Sequence, residues 1–318
     1  MSHVTPTRPP FREEEDMIRT ANAPVSYGVF ALSRPDRVPL PSGTELLGLV
    51  SEAGYDGVDL GPHGYFGTGQ ELAEHLAAHE LALCGGWLDL PFSGSDEEYE
   101  AAEAAILPVL DDFALCASQQ GTMAPKPTIA DSGSAERSAR PGGGIDLELS
   151  RDRWAIFAGR VQRVVNLVAD RGLTATFHHH ACTYVETPRE IERLLADTSI
   201  GLTLDTGHLL IGGGDPMAAL ADWGPRINHL HVKDVRTALL HAASGSDNPI
   251  RDLWEKRVFV RLGDGDLDVE GFLDAVLARS FEGWLVVEQD VVLLNGPDVR
   301  RAIDDQVANR EALRRWVP

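Results

Sequence analysis

Gly201-Leu-Thr-Leu-Asp205-Thr-Gly-His208 and Ile227-Asn-His-Leu-His231-Val-Lys-Asp234 decide the architecture, because each carries a short apolar run that stops on polar residues. The same pattern recurs at Leu173-Thr-Ala-Thr-Phe-His178 and at Trp284-Leu-Val-Val-Glu288. Every run has the length and the β-branched or aromatic content of a buried strand, and helix-like sequence follows it. In a closed barrel of parallel strands the carboxyl ends of all strands meet at one mouth, so polar residues from four strand ends can converge there. Two histidines and two carboxylates at one point suit a divalent ion such as Mn²⁺, Co²⁺ or Zn²⁺.

Working outward, the strand candidates are Val25–Phe30, Gly57–Leu60, Ala82–Trp87, Phe113–Ala117, Leu173–His178, Gly201–Asp205, Ile227–Val232 and Trp284–Glu288, with amphipathic stretches between them. Eight such alternations predict an α/β fold, a (β/α)₈ TIM barrel. It is expected as a single catalytic domain over residues 23–318, after a loose N-terminal arm over residues 1–22 whose Pro-rich, charged sequence has no periodicity. No Gly-x-Gly-x-x-Gly turn follows the first strand, which weakens a dinucleotide-binding fold. Two segments interrupt the rhythm. Pro125–Ile145, rich in Ser, Gly and Pro, reads as a mobile loop after the fourth strand, and Lys233–Val258 separates the seventh strand from its helix. Both leave the barrel on the substrate-binding face, where either could act as a lid.

The chain has 318 residues, and a barrel of this kind takes about 250. The formal net charge of −21 argues against nucleic acid and against an anionic membrane surface, both of which need clustered Lys and Arg. No apolar run is long enough to span a bilayer. Phe11-Arg-Glu-Glu-Glu-Asp16 is charged where a signal sequence would be apolar. The three cysteines, Cys84, Cys116 and Cys182, form no CxxC pair and no disulfide framework. These features predict a cytoplasmic, reduced protein that acts on a small molecule, with a homo-oligomer compatible with the sequence.

At the site itself, alternation puts His229, His231 and Lys233 on one strand face, with His231 nearer the mouth and Lys233 at the rim to hold a substrate oxygen. His178 and His180 share a face, and His179 points toward the helices. The predicted metal ligands are therefore His178, Asp205, His231 and Glu288. His180, His208 and Lys233 are predicted to bind substrate and, with Glu288, to carry the proton transfers. The earlier strands contribute Gly57-Val-Asp-Leu-Gly61, His63 and Tyr65 as substrate contacts and Trp87 as an apolar wall. Asp290 is a neighbour of the ligand shell, and Gln289 points away from it.

The strings Gly54-Tyr-Asp-Gly-Val-Asp-Leu-Gly61, Phe177-His-His-His-Ala181, Asp205-Thr-Gly-His208, Ile227-Asn-His-Leu-His-Val-Lys-Asp234 and Gly283-Trp-Leu-Val-Val-Glu-Gln-Asp290 resemble the xylose-isomerase-like TIM-barrel superfamily of sugar isomerases and epimerases. Within it the chain looks most like the inosose dehydratases of inositol catabolism, and Leu262-Gly-Asp-Gly-Asp-Leu-Asp268 resembles a Gly-rich turn those proteins carry before their seventh helix. The likeness spans roughly residues 25 to 315. It implies a TIM barrel, a divalent metal (commonly Mn²⁺ or Co²⁺, with Zn²⁺ and Mg²⁺ as other options) and a polyhydroxylated carbonyl substrate. Asp205, His231 and Glu288 match the superfamily's metal positions. His178 falls where many epimerases and isomerases place a glutamate, and the first strand, Pro24-Val-Ser-Tyr-Gly-Val-Phe30, departs from the inosose dehydratase pattern.

That departure at His178 bears on the reaction. Epimerases of the superfamily use two metal-bound glutamates on opposite faces of one carbon, whereas elimination needs one base and an acid for the leaving hydroxyl. The expected function is a metal-dependent lyase dehydrating a cyclic keto-polyol such as 2-keto-myo-inositol. The alternatives are a sugar or sugar-phosphate isomerase or epimerase, a 3-oxo-glycoside lyase, or a non-catalytic sugar-binding barrel.

Overall fold

In the computed structural model, which describes residues 18–30, 38–243 and 249–317, eight parallel strands close into a barrel. They are β1 (Ile18–Asn22), β2 (Gly57–Asp59), β3 (Ala82–Leu90), β4 (Lys126–Asp131), β5 (Thr176–His178), β6 (Gly201–Asp205), β7 (Ile227–Val232) and, after a short ribbon, β10 (Gly283–Val287). The ribbon pairs β8 (Asp234–Val235) with β9 (Phe259–Val260) antiparallel. Around the barrel the order is β1, β10, β7, β6, β5, β4, β3, β2, so β1 closes the ring between the last strand and the second. The predicted (β/α)₈ barrel is the observed fold.

Two apolar layers hold it. Ala21, Ala23, Ala82, Cys84, Trp284 and Val286 form one cluster although β3 and β10 are not neighbours, which places them inside the ring. Small residues on β1 and β3 leave room for the fully buried indole of Trp284. The larger cluster, including Leu83, Phe113, Phe177, Leu202, Leu204 and Leu230, lies between the strands and the helices. Ser42 with Glu45, Ser95 with Glu98 and Thr187 with Glu190 form reciprocal capping boxes that start three of the helices.

Three expectations are corrected. The first strand is not Val25–Phe30: Pro24–Tyr27 is a 3₁₀ turn ending on Gly28 at φ 81, and Pro24 brings a fixed φ and no N–H donor. Ile18–Asn22 is the strand instead, five residues in register with β10, so the arm expected over residues 1–22 overlaps the barrel; the rest of it, 1–17, lies outside the described residues. Phe113–Ala117 is not the fourth strand but the buried stripe of a long helix, Asp96–Gln119. A short apolar run fits either structure. The real β4 lies in the stretch expected to be a loop, Pro125–Ile145, which also contains a short helix at Ala135–Ser138. The insertion between β7 and the next barrel helix holds the ribbon and helices at Ala238–Ala243 and Pro249–Glu255.

The ribbon is pinned by Asp234, whose carboxylate accepts the backbone N–H groups of Val235, Gly263, Gly265 and Leu267. A Cβ on Gly265 would collide with that carboxylate, which explains the glycine in the Leu262–Asp268 turn.

Candidate metal centre and active-site cavity

The strand period of two sets the inner face. Thr176 and His178, Thr203 and Asp205, His229 and His231, and Trp284, Val286 and Glu288 all alternate with residues that face the helices. Thr176 Oγ1 lies 2.8 Å from Thr203 Oγ1 across β5 and β6, and Asp205 and His231 are register partners across β6 and β7. Gln289 turns the other way and donates to Asp305 on the last helix.

The four residues expected as metal ligands come together. His178, Asp205, His231 and Glu288 each offer one donor atom, all within 4.8 Å of one another and all buried. His178 Nε2 is 3.1 Å from His231 Nδ1 and 3.3 Å from Asp205 Oδ2; His231 Nδ1 is 3.1 Å from Glu288 Oε2 and 3.8 Å from Asp205 Oδ2. A tetrahedral ion with ligand bonds of 2.0–2.2 Å separates its donors by about 3.3–3.6 Å, so these spacings bracket what one ion requires. Asp205 serves twice: Oδ1 caps the helix Thr206–Ile211 by accepting the His208 N–H at 2.8 Å, which leaves Oδ2 for the cluster. Its own N–H donates to His179 Nε2 at 3.2 Å, a positioning contact for His179 that the sequence did not indicate. The outer nitrogens, His178 Nδ1 and His231 Nε2, are buried without a hydrogen-bond partner among the described residues, so neither ring is fixed from behind in the way metal-binding histidines usually are.

Lys233 stands against the cluster. Its Nζ lies 3.3 Å from Asp205 Oδ2, 3.0 Å from Glu288 Oε2 and 2.8 Å from Asp290 Oδ1, and it donates to His208 Nε2 at 3.0 Å. A Cβ on Gly207 would come within 2.9 Å of the Lys233 stem, so glycine is needed for the lysine to pass. Burial would raise the Asp205 carboxyl, but Lys233 and then His178 hold it below the usual carboxylate range. Burial likewise opposes ionisation of Glu288, and His231 and Lys233 overcome it. Burial would lower Lys233, yet Asp205, Asp290 and Glu288 push it up. His231 is raised because Glu288 outweighs its burial, whereas burial lowers His178.

His180, His208 and Asp290 make a second group. The Asp290 carboxylate is already paired with Lys233, and the His180 and His208 rings lie 3.7 Å apart. Burial, with His178 next, pushes His180 down to about 3, and burial raises Asp290 to about 6.

Beside these residues lies a cavity of about 550 Å³ walled by Val25, Phe30, Trp87 and Trp254. That is within the size range of small-molecule sites. His178, His180, His231, Lys233 and Glu288 line it, and His208 does not. Trp87 sits at the mouth with its ring edge-on to His178 and His180. His63 reaches the rim but is tied outward, its Nε2 3.0 Å from Asp112 Oδ2. Asp59, at the end of β2, also lines the cavity. Sequence places it within the strand candidate Gly57–Leu60, in the string Gly57–Gly61 expected to furnish substrate contacts, and Leu60 after it keeps it from ending the apolar run.

Comparison with known proteins settles the kinship. The sequence profile of the xylose isomerase-like TIM barrel family matches residues 47–308. The chain belongs to that family. It is 32% identical over 291 residues to the rhizopine catabolism protein MocC of Rhizobium meliloti, covering 89% of this chain and 85% of that protein. It is 25% identical over 291 residues to the inosose dehydratase of Halalkalibacterium halodurans, covering 85% and 89%. Among solved structures, an IOLI protein described with a bound zinc atom superimposes with a TM-score of 0.63 at 14% identity, over 92% of this chain and 95% of that one, which is a likeness of fold. The chain is thus an enzyme of the xylose isomerase-like superfamily, of the dehydratase-like or sugar isomerase and epimerase kind. No helix among the described residues is long and apolar enough to cross a membrane.

Proposed function

We propose that this enzyme is a metal-dependent lyase that removes water from a cyclic keto-polyol such as 2-keto-myo-inositol. The observation that carries the reading is the convergence of His178, Asp205, His231 and Glu288 beside a cavity that three of them, His178, His231 and Glu288, line, in a chain whose relatives include inosose dehydratases. Those four residues would hold the ion, and their mixed oxygen and nitrogen donors favour Mn²⁺ or Co²⁺. When bound, it supplies Lewis-acid polarisation of a carbonyl oxygen.

The chain's own groups do the rest. Glu288 stands at the cavity floor as the base for the proton next to the ketone. Lys233 presents its ammonium to a substrate oxygen. His180 lines the cavity wall beside them, and His208, behind Lys233, acts by holding that lysine. With His178 in place of a second glutamate at the ion, elimination is favoured over exchange on both faces of one carbon. Incubating the metal-loaded enzyme with inososes, ketoses and oxo-glycosides, read by mass spectrometry, tests the reading: a product lighter by one water supports it, and a product of unchanged mass sinks it.

A further inference from the structure

We propose that Asp59 is a catalytic residue, the acid that protonates the leaving hydroxyl, working opposite Glu288 and in place of His180. The inference rests on the dehydratase reading, though not on its choice of acid.

Register gives the first argument. Asn22 of β1 pairs with Val287 on one side and with Val58 on the other. Glu288 and Asp59 are the next residues on their strands, so the two carboxyls stand at the same height on strands that flank β1. The β1 chain continues there with Ala23, whose methyl leaves the space between them open to the cavity that all three line. The register between β2 and β3 shifts between Val58 and Asp59, an irregularity of the kind that re-aims a side chain beside an active site.

Hydrogen bonding gives the second. Asp59 Oδ1 accepts the Gly61 N–H at 3.0 Å, and no hydrogen bond among the described residues uses Oδ2. One oxygen orients the carboxyl and the other is free for substrate. Gly61 has φ 62 and packs so closely on Pro24 that a Cβ would fall 2.7 Å from its ring, so the turn that presents this N–H is built around glycine. Asp59 also belongs to neither ligand group. His180 is less free: its Nδ1 is committed to the Ala181 carbonyl at 2.8 Å, and its ring lies 3.7 Å from that of His208. Burial, and then the charge of Glu288, push the Asp59 carboxyl up, the direction a general acid needs.

The step balances. The C–H bond next to the ketone breaks and its proton goes to Glu288. The electron pair forms the new C=C bond as the C–O bond one carbon further breaks. The hydroxyl departs with the Asp59 proton as one water, and Asp59, now ionised, is reset by the proton that Glu288 releases.

The test uses the full chain with Mn²⁺ and 2-keto-myo-inositol in D₂O, following water loss by mass and deuterium uptake beside the ketone by NMR. Asp59→Asn should cut water loss at least 100-fold, the lower end of what a general acid contributes, while deuterium uptake continues. Metal content by elemental analysis should match the wild type. A merely structural defect would lower uptake and elimination together, and that result overturns the proposal, as does undiminished elimination. His180→Gln should retain elimination; if it alone separates uptake from elimination, His180 is the acid and Asp59 is not. Should Asp59→Asn fail to fold, Asp59→Glu serves instead, with a raised ratio of uptake to elimination expected and an unchanged ratio refuting. A wild type that neither eliminates nor exchanges removes the dehydratase reading and this role with it, whereas an active wild type with an unaffected Asp59→Asn removes only the role.

Discussion

Replacing Lys233 with methionine should destabilise the metal-free protein and tighten its hold on a divalent ion. The ammonium is buried and lies within 3.3 Å of three carboxylates, those of Asp205, Glu288 and Asp290. Removing one partner of a buried ion pair costs about 3–5 kcal/mol, because the remaining charge is left uncompensated. At about 2 °C per kcal/mol for a large domain, the apparent melting temperature in chelator should fall by roughly 6–10 °C. The affinity change has the opposite sign. Lys233 Nζ touches Asp205 Oδ2 and Glu288 Oε2, the oxygens that face the histidines of the ligand cluster, so lysine and metal are rival counter-charges. Differential scanning calorimetry in EDTA and in Mn²⁺ gives the first quantity, and the gap between the two melting temperatures should widen in the variant. Competition with a fluorescent chelator gives the second. A variant as stable as the wild type in EDTA, or one that binds Mn²⁺ more weakly, would refute the reasoning.

Asp205→Asn keeps an oxygen to cap the following helix, so Asp205→Ala, which loses the cap as well, should be the less stable of the two by about 1 kcal/mol; both should lose bound metal by elemental analysis. Glu288→Ala should bind metal weakly and be inactive at unchanged circular dichroism. Glu186 is buried against Arg137 and accepts the Gly142 N–H, and burial raises its carboxyl from 4.5 to about 7. A raised carboxyl favours the folded state most below 4.5 and loses that advantage as pH climbs through about 7, so Glu186→Gln should gain on the wild type over that window by up to about 3 kcal/mol and then level off. A pH-independent difference in melting temperature would contradict this. His178→Glu puts a second carboxylate at the ion and should raise deuterium uptake into substrate relative to water loss; an unchanged ratio would show that His178 does not select the reaction.

What the sequence revealed follows from strand periodicity. His178, Asp205, His231 and Glu288 could be picked out because each ends an apolar run on the inner side of a strand, and a barrel brings such ends together whatever the loops do. Asp59 does not stand out in the same way, because β2 is only three residues long and Leu60 extends the apparent run past it. β1 was hidden because Thr20 and Asn22 face the helices and satisfy polar partners there, Asp56 and Gln306, so the run does not read as apolar. β4 was hidden by Lys126 and Pro127, residues that ordinarily argue against a central strand. The buried Arg137 fork to Glu186 and Glu190, which ties the segment after β4 to the one after β5, joins residues about fifty apart and leaves no local pattern to read.

The most direct measurement is the mass of the product formed from 2-keto-myo-inositol by the wild type, run in parallel with Mn²⁺ and with chelator and metal content verified. A product lighter by one water, formed only with the ion present, is the expected result. An epimer of unchanged mass, or equal turnover by verified metal-free protein, would contradict it.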